Sequence, residues 1–284
     1  MKKLFIYLSL MGVYTVNAQD FQGIAVYESK TNFDMSISSG DDKSSGIEAE
    51  LHKALSEQLK KAMEKTYTMR FDKSAALYEE EQKLEDPAAA SAGGIAVKIS
   101  GSTGKLYKNL KEKKSLFETE AFGKEFLVSD SLKKWDWKLG SESKKIGNYT
   151  CYKATAVYKA KEPVQISDEE KNKNVKAINL LETKDVEKTV TAWYTPDLPV
   201  GHGPDEYWGL PGLILEVNAD KTTILCSKIT LNPKEKFVIK TPKKGEKVTK
   251  AKYEEIMEKK SQEMMEMYDN ERPGTSTKVI RIGG

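Results

Sequence analysis

Histidine and cysteine are nearly missing from this chain of 284 residues, which holds two of each. The two histidines, His52 and His202, are far apart in sequence. HExxH is therefore absent, and so is any His/Cys cluster at zinc spacing. No G-x-S-x-G nucleophile elbow occurs. Gly101-Ser-Thr-Gly104-Lys105 has too few residues between its glycines for a phosphate-binding loop. Gly201-His202-Gly203 lacks the third glycine of a dinucleotide loop. Ser131 with Lys134 and Ser141 with Lys144 match S-x-x-K, a spacing that arises by chance in a chain rich in both residues. No cofactor motif remains, and none is expected. Long apolar runs are also lacking after residue 19, so no transmembrane segment is expected in the mature chain.

What is present begins with the N-terminus. Lys2 and Lys3 precede a mostly apolar run, Leu4 to Val16, and then Val16-Asn17-Ala18. A basic head, a short apolar stretch and small residues at a cleavage point make a secretory signal. The run is too short to span a bilayer, which takes about 20 residues. Residues 1–18 are read as a signal peptide cleaved after Ala18, with no nearby Cys for lipid attachment. An exported protein, periplasmic or extracellular, follows. Without residues 1–18 the chain has 44 basic and 43 acidic side chains. That balance excludes an ordinary nucleic-acid binder, which concentrates positive charge. Residues 19–284 are long enough for one large core and are read as a single domain. Polar insertions are expected near 36–46, 86–94 and 161–186.

Alternation and turn residues predict many short strands. They fall at 24–30, 66–72, 74–81, 95–100, 105–110, 113–119, 124–129, 137–139, 148–158, 188–194, 213–218, 222–231, 237–240 and 279–282. Steps of three and four apolar residues predict a helix over Ile47 to Lys65. A second helix is predicted over Thr249 to Tyr268, with Thr249 as its N-cap. Its stripe holds Tyr253, Ile256, Met257, Met264 and Met267. The expected fold is α+β: a large, curved, half-barrel-like antiparallel sheet with two long helices packed on it.

Cys151 and Cys226 both sit in predicted strands. An oxidising compartment permits a disulfide between them, and two buried thiols are the alternative. Glu79, Glu80 and Glu81 lack the spacing of a calcium loop and are read as a solvated face. One segment stands out, residues 192–218, AWYTPDLPVGHGPDEYWGLPGLILEVN. Pro196, Pro199, Pro204 and Pro211 stiffen it, since each fixes its φ. A rigid aromatic loop either plugs one end of the sheet or binds something at little further entropic cost. The candidate contact residues for a ligand or partner are Trp193, Tyr194, His202, Tyr207, Trp208, Leu210 and Pro211.

The same segment carries a resemblance. Gly209-Leu-Pro-Gly-Leu-Ile214 is the naming motif of the GLPGLI family, secreted proteins found widely in Bacteroidota. Residues 192–196 (AWYTP), 122–128 (FGKEFLV), 135–139 (WDWKL), 146–151 (IGNYTC) and 242–245 (PKKG) also resemble that family, so the likeness covers nearly the whole mature chain. It implies no catalytic residues. A looser, fold-level analogy links such sheets to the half-barrels of envelope lipoprotein carriers, which hold acyl chains.

The expected function is non-enzymatic: binding of an envelope protein or a lipid-like ligand through the aromatic loop and the concave sheet. A rival reading is an envelope hydrolase using His202 as base with Asp197 or Asp205. A third is a copper-binding protein using Met257, Met264, Met265 and Met267. No metal site is expected under the first reading, and the sequence does not set the oligomeric state.

Overall fold

The computed structural model describes residues 21–32, 63–81, 104–163 and 183–271. The first half of this stretch supplies β1 (Gln22–Thr31), β2 (Lys65–Asp72), β3 (Ala75–Glu80), β4 (Gly104–Asn109), β5 (Lys114–Ala121) and β6 (Lys124–Ser131). The second supplies β7 (Lys138–Ile146), β8 (Tyr149–Pro163), β9 (Thr183–Thr195), β10 (Leu213–Ala219), β11 (Thr222–Leu231), β12 (Glu246–Thr249) and the helix α1 (Lys250–Glu271).

Local chemistry explains the hairpins. The Asp72 carboxylate accepts the backbone N–H groups of Ser74 at 2.6 Å and Ala75 at 2.7 Å, which turns β2 into β3. Asn109 does the same for Lys111 and Glu112 between β4 and β5. Such short side chains capture nearby amides and compete with further extension.

All strands join one open sheet in the order β12-β6-β5-β4-β3-β2-β1-β11-β10-β9-β8-β7. Every neighbouring pair is antiparallel except β12 with β6. The first strand therefore lies mid-sheet, zipped to β11 on one side and β2 on the other. Strand alternation sorts the side chains. Ala25, Tyr27, Met69, Phe71, Ala76, Val190, Ala192 and Val217 are buried on one face. The Tyr27 hydroxyl donates to the Ile214 carbonyl at 2.8 Å within that core. The opposite face of β3 to β6 carries a smaller cluster of Ala75, Tyr107, Leu116 and Leu127, covered by Ile239.

Seven neighbouring strands, β6 round to β11, contribute side chains to one cavity. Laid flat they would span about 29 Å at ~4.8 Å per strand. The sheet is strongly coiled, and the inner face of the coil is where the site lies.

The expected α+β architecture is not what forms. Among the described residues the fold is mostly β, with α1 as its one helix. The Thr249 cap is correct, since its hydroxyl accepts the Lys252 N–H at 3.2 Å. The packing is not. α1 meets the sheet near its start, where Tyr253 sets its ring edge-on to Phe126 at 5.4 Å. Further along, Met267 is 60% exposed. Lys252–Glu255 and Lys260–Glu263 pairs line its wet surface. A thin apolar stripe among charges makes a helix, but it does not make a layer. Most of the other predicted helix, residues 47–62, lies outside the described residues, and its last residue Lys65 already opens β2.

Further corrections are local. Residues 237–240 form no strand; they cross the outer face, with Ile239 half-buried and Val238 exposed. The insertion expected over 161–186 begins and ends as strand, with Pro163 paired to Thr183. Its middle, the signal segment, the stretches 36–46 and 86–94, and the strands predicted at 95–100 and 279–282 lie outside the described residues.

Candidate functional site

The loop between β9 and β10 folds onto the inner face and binds itself. Gly209 N–H donates to the Gly201 carbonyl at 2.9 Å, Leu213 N–H to Leu198 at 2.9 Å, and Ile214 N–H to His202 at 3.0 Å. Two glycines of its motif have separate reasons. Gly209 sits at φ +92°, a region that side chains avoid. At Gly212 a Cβ would lie 2.1 Å from the Thr195 carbonyl oxygen, so the backbones touch only because no side chain is there.

Three indoles fasten the loop to residues 132–137. Trp135 donates to the Glu206 carbonyl at 3.1 Å, Trp137 to Trp208 at 2.8 Å, and Trp208 to Lys133 at 2.7 Å. Trp135 packs on Trp137 at 5.4 Å and on Tyr207 at 4.9 Å. These bonds tie residues 133–137 to residues 206–208, just ahead of the GLPGLI segment.

Of the contact residues read from sequence, Tyr194, His202, Tyr207 and Leu210 are buried in the core. Trp193 and Trp208 are half-buried, and Pro211 is exposed. None of the seven lines the inner cavity. Their loop neighbours Asp205 and Glu206 do.

Lys108 was hidden from sequence reasoning. It sits in a strand whose alternation gives a lysine no reason to point inward, yet it has 0% exposure. Its ammonium donates to the carbonyls of Gly203 at 2.6 Å and Tyr207 at 3.2 Å, and to that of Asp205. One side chain on β4 thus uses its three donors to hold three carbonyls of the loop. Burial pushes its pKa down to about 7, against the pull of Asp205 and Glu206.

His202 is equally enclosed. Its Nε2 is 2.9 Å from the Asp72 carbonyl and so carries the proton, while Nδ1 is buried with no hydrogen-bond partner. Neither Asp197 nor Asp205 orients the ring, as the hydrolase reading requires. Burial, reinforced by the Lys108 charge, lowers its pKa from 6.5 to about 3. The unfolded chain takes up that proton below 6.5, and the folded ring refuses it until about 3. Stability is therefore full above 6.5 and falls as pH drops toward 3, by about 1.4 kcal/mol per unit. His202→Asn, which keeps a donor for Asp72, is expected to remove most of this slope in urea unfolding between pH 7 and 4. An unchanged slope would assign the acid sensitivity to other groups.

Cys151 and Cys226 are both buried with free thiols, and burial raises their pKa values to about 11 and about 12. Such thiols are inert. No cluster of three His, Cys, Asp or Glu side chains able to hold a metal is found among the described residues. Glu79 and Glu80 are spent on ion pairs to Arg70 and Lys65, and Glu81 on the Thr68 hydroxyl. Lys144, of the second S-x-x-K, pairs with Glu216 at 2.7 Å and lies over Trp193.

What remains open is a cavity of about 690 Å³ inside the coil. Tyr67, Tyr78, Leu106, Phe117 and Val128 supply its apolar wall. Tyr67 and Tyr78 stack at 4.7 Å. Asp205 and Glu206 close it on the loop side, and Tyr253 of α1 lies at another edge. Asp205 is exposed and borders the cavity. Burial and the adjacent Glu206 charge push its pKa up, and Lys108 pulls it back.

No helix among the described residues is long and apolar enough to cross a membrane. No curated protein matches the chain. Two solved structures, described as PNGF-II in C2 and in P21 space groups, align at 14% identity with TM-scores of 0.46 and 0.44. Each alignment covers 83% of this chain and 32% of that one, so the chain spans about a third of the length of the solved structures it matches. A likeness that loose carries no argument about activity. Residues 137–216, from the second indole of WDWKL through the GLPGLI segment, match the model of a Bacteroidota-associated family described as "Protein of unknown function (Porph_ging)".

Proposed function

We propose that this chain is an exported, non-enzymatic envelope protein of the GLPGLI type that holds a hydrophobic or amphipathic ligand inside its coiled sheet. The observation that carries this reading is the cavity of about 690 Å³ walled by Tyr67, Tyr78, Leu106, Phe117 and Val128. Ligand pockets commonly measure about 300–1,000 Å³ and are mostly apolar with a few polar groups. The aromatic loop serves this site as its wall: its rings are spent on the core, and Asp205 and Glu206 are what it offers the ligand. The buried His202, with no carboxylate hydrogen-bonded to its ring, gives hydrolysis no support.

The test is native mass spectrometry of the protein purified gently from its own envelope, followed by denaturing extraction. A non-covalent adduct of lipid-like mass is expected, on a chain beginning at Gln19. Leu106→Trp, which fills the cavity from β4, is expected to lose the adduct while keeping the β circular dichroism signal. A bare chain in repeated preparations, together with no uptake of the uncharged probe N-phenyl-1-naphthylamine, overturns the reading.

A further inference from the structure

The helix α1 is held to the sheet at one end. Its base is firm: β12 runs parallel to β6 from Glu246 to Thr249. Just before it, Gly245 at φ +98° approaches so closely that a Cβ there would stand 2.7 Å from the Phe126 backbone. Beyond Thr249 the attachment thins. The Tyr253 ring meets Phe126 edge-on at 5.4 Å. No described side chain of α1 is buried, and even Tyr253, Ile256 and Met257 are only half-buried. Among the described residues, its ion pairs and side-chain hydrogen bonds run within the helix or to its Thr249 cap.

This loosely held element borders the cavity. Lys250, Tyr253 and Glu254 line the space from α1, at steps of three and four that put them on one helix face. Ser29, Thr222 and Ile224 line it from β1 and β11, on the far side of the strands that curve around it. The first turn of α1 therefore faces the same space as β1 and β11. A helix in a protein owes most of its stability to packing of an apolar face. Segments with few buried contacts open at little cost in free energy, and lids over binding sites are drawn from them. α1 has that make-up and that position.

Resting on the cavity reading above, we infer that α1 is the lid of the cavity, turning about the β12–α1 junction at Thr249 and Lys250, with the Tyr253–Phe126 contact as its latch. Latched, the helix keeps its first turn against the space. Unlatched, it swings clear and a hydrophobic ligand enters or leaves. A bound apolar ligand favours the latched form, because it offers the half-exposed Tyr253 an apolar surface to cover. A lid and a fixed wall differ in kinetics. Loosening a latch speeds entry and release together, since both pass through the open form. Removing a wall contact speeds release alone.

Stopped-flow fluorescence of N-phenyl-1-naphthylamine with the mature chain reads both rates. Tyr253→Leu and Phe126→Leu undo the latch from either side. Phe126 is not among the residues lining the cavity, so its variant leaves the ligand wall as it was. Each variant is expected to raise entry and release rates alike by about threefold or more, the worth of one aromatic pair. Kd is expected to change much less than either rate in Phe126→Leu. In hydrogen exchange of the parent, amides of residues 250–271 are expected to exchange faster than those of β6, and to slow several-fold when the probe is saturating. Rates unchanged in both variants, release alone made faster in both, or α1 exchange indifferent to the probe overturns the lid and leaves the cavity reading standing. No uptake of the probe by the parent overturns the lid, and together with a bare chain in mass spectrometry it overturns the cavity reading as well.

Discussion

Lys108→Met should destabilise the protein by about 3 kcal/mol or more, as read from urea midpoints at pH 7. Two effects compete. Methionine removes an ammonium whose burial is costly enough to pull its pKa from 10.5 to about 7. It also strips the side-chain donor that the carbonyls of Gly203, Asp205 and Tyr207 share. Charge-assisted hydrogen bonds contribute about 1.5–3 kcal/mol each. Three of them outweigh the relief from desolvation, and the orphaned carbonyls have little access to water. The pH dependence adds a check. Between pH 7 and 10.5 the unfolded chain binds the lysine proton that the folded chain has released. Stability of the parent should therefore rise, relative to the methionine variant, as pH increases through that window. A variant as stable as the parent at pH 7 would show that the loop holds its place through the indoles alone.

The second large effect is expected at Gly212. An alanine Cβ there would stand 2.1 Å from the Thr195 oxygen and 2.5 Å from its carbon. Both atoms are backbone at the end of β9, where Thr195 pairs with Leu213, so neither can swing aside. Gly212→Ala should cost more than about 3 kcal/mol, at the top of the range for overpacking, or prevent folding altogether. Gly209→Ala is the matched control. Its Cβ meets nothing within 4 Å, and only the φ of +92° opposes it. Conformational strain of that kind is about 1–2 kcal/mol. Thermal unfolding of the two variants side by side checks the order. Equal shifts would mean that β9 and β10 separate easily at this point, and that the close approach is not what the glycine serves.

The legibility of this protein differs from element to element, and the differences have causes. Strands β1 to β6 and β8 to β11 were readable because alternation and turn chemistry act within a few residues. Asp72 and Asn109 turn the chain by bonding amides two and three positions away. The Thr249 cap was readable for the same reason. The helix's role was not, because a stripe of Met, Ile and Tyr shows amphipathicity without naming the surface it meets. β12 escaped because its pairing is parallel, with β6, more than a hundred residues earlier in the chain.

The site divides the same way. Sequence by itself marked the 192–218 segment as special, through its prolines, glycines and aromatics, and it placed both cysteines on strands. Rigid backbone and large rings are properties of single residues, so they show in the sequence. Which groups face the ligand space is a property of the coil. Tyr67, Tyr78, Leu106, Lys108, Phe117 and Asp205 come from four strands and one loop, and only the sheet order gathers them. Lys108 is the clearest case. Nothing in GKLYKN distinguishes it from a solvated lysine. It is buried because a loop 95 residues away lays three carbonyls over it, and that meeting is decided by tertiary structure alone.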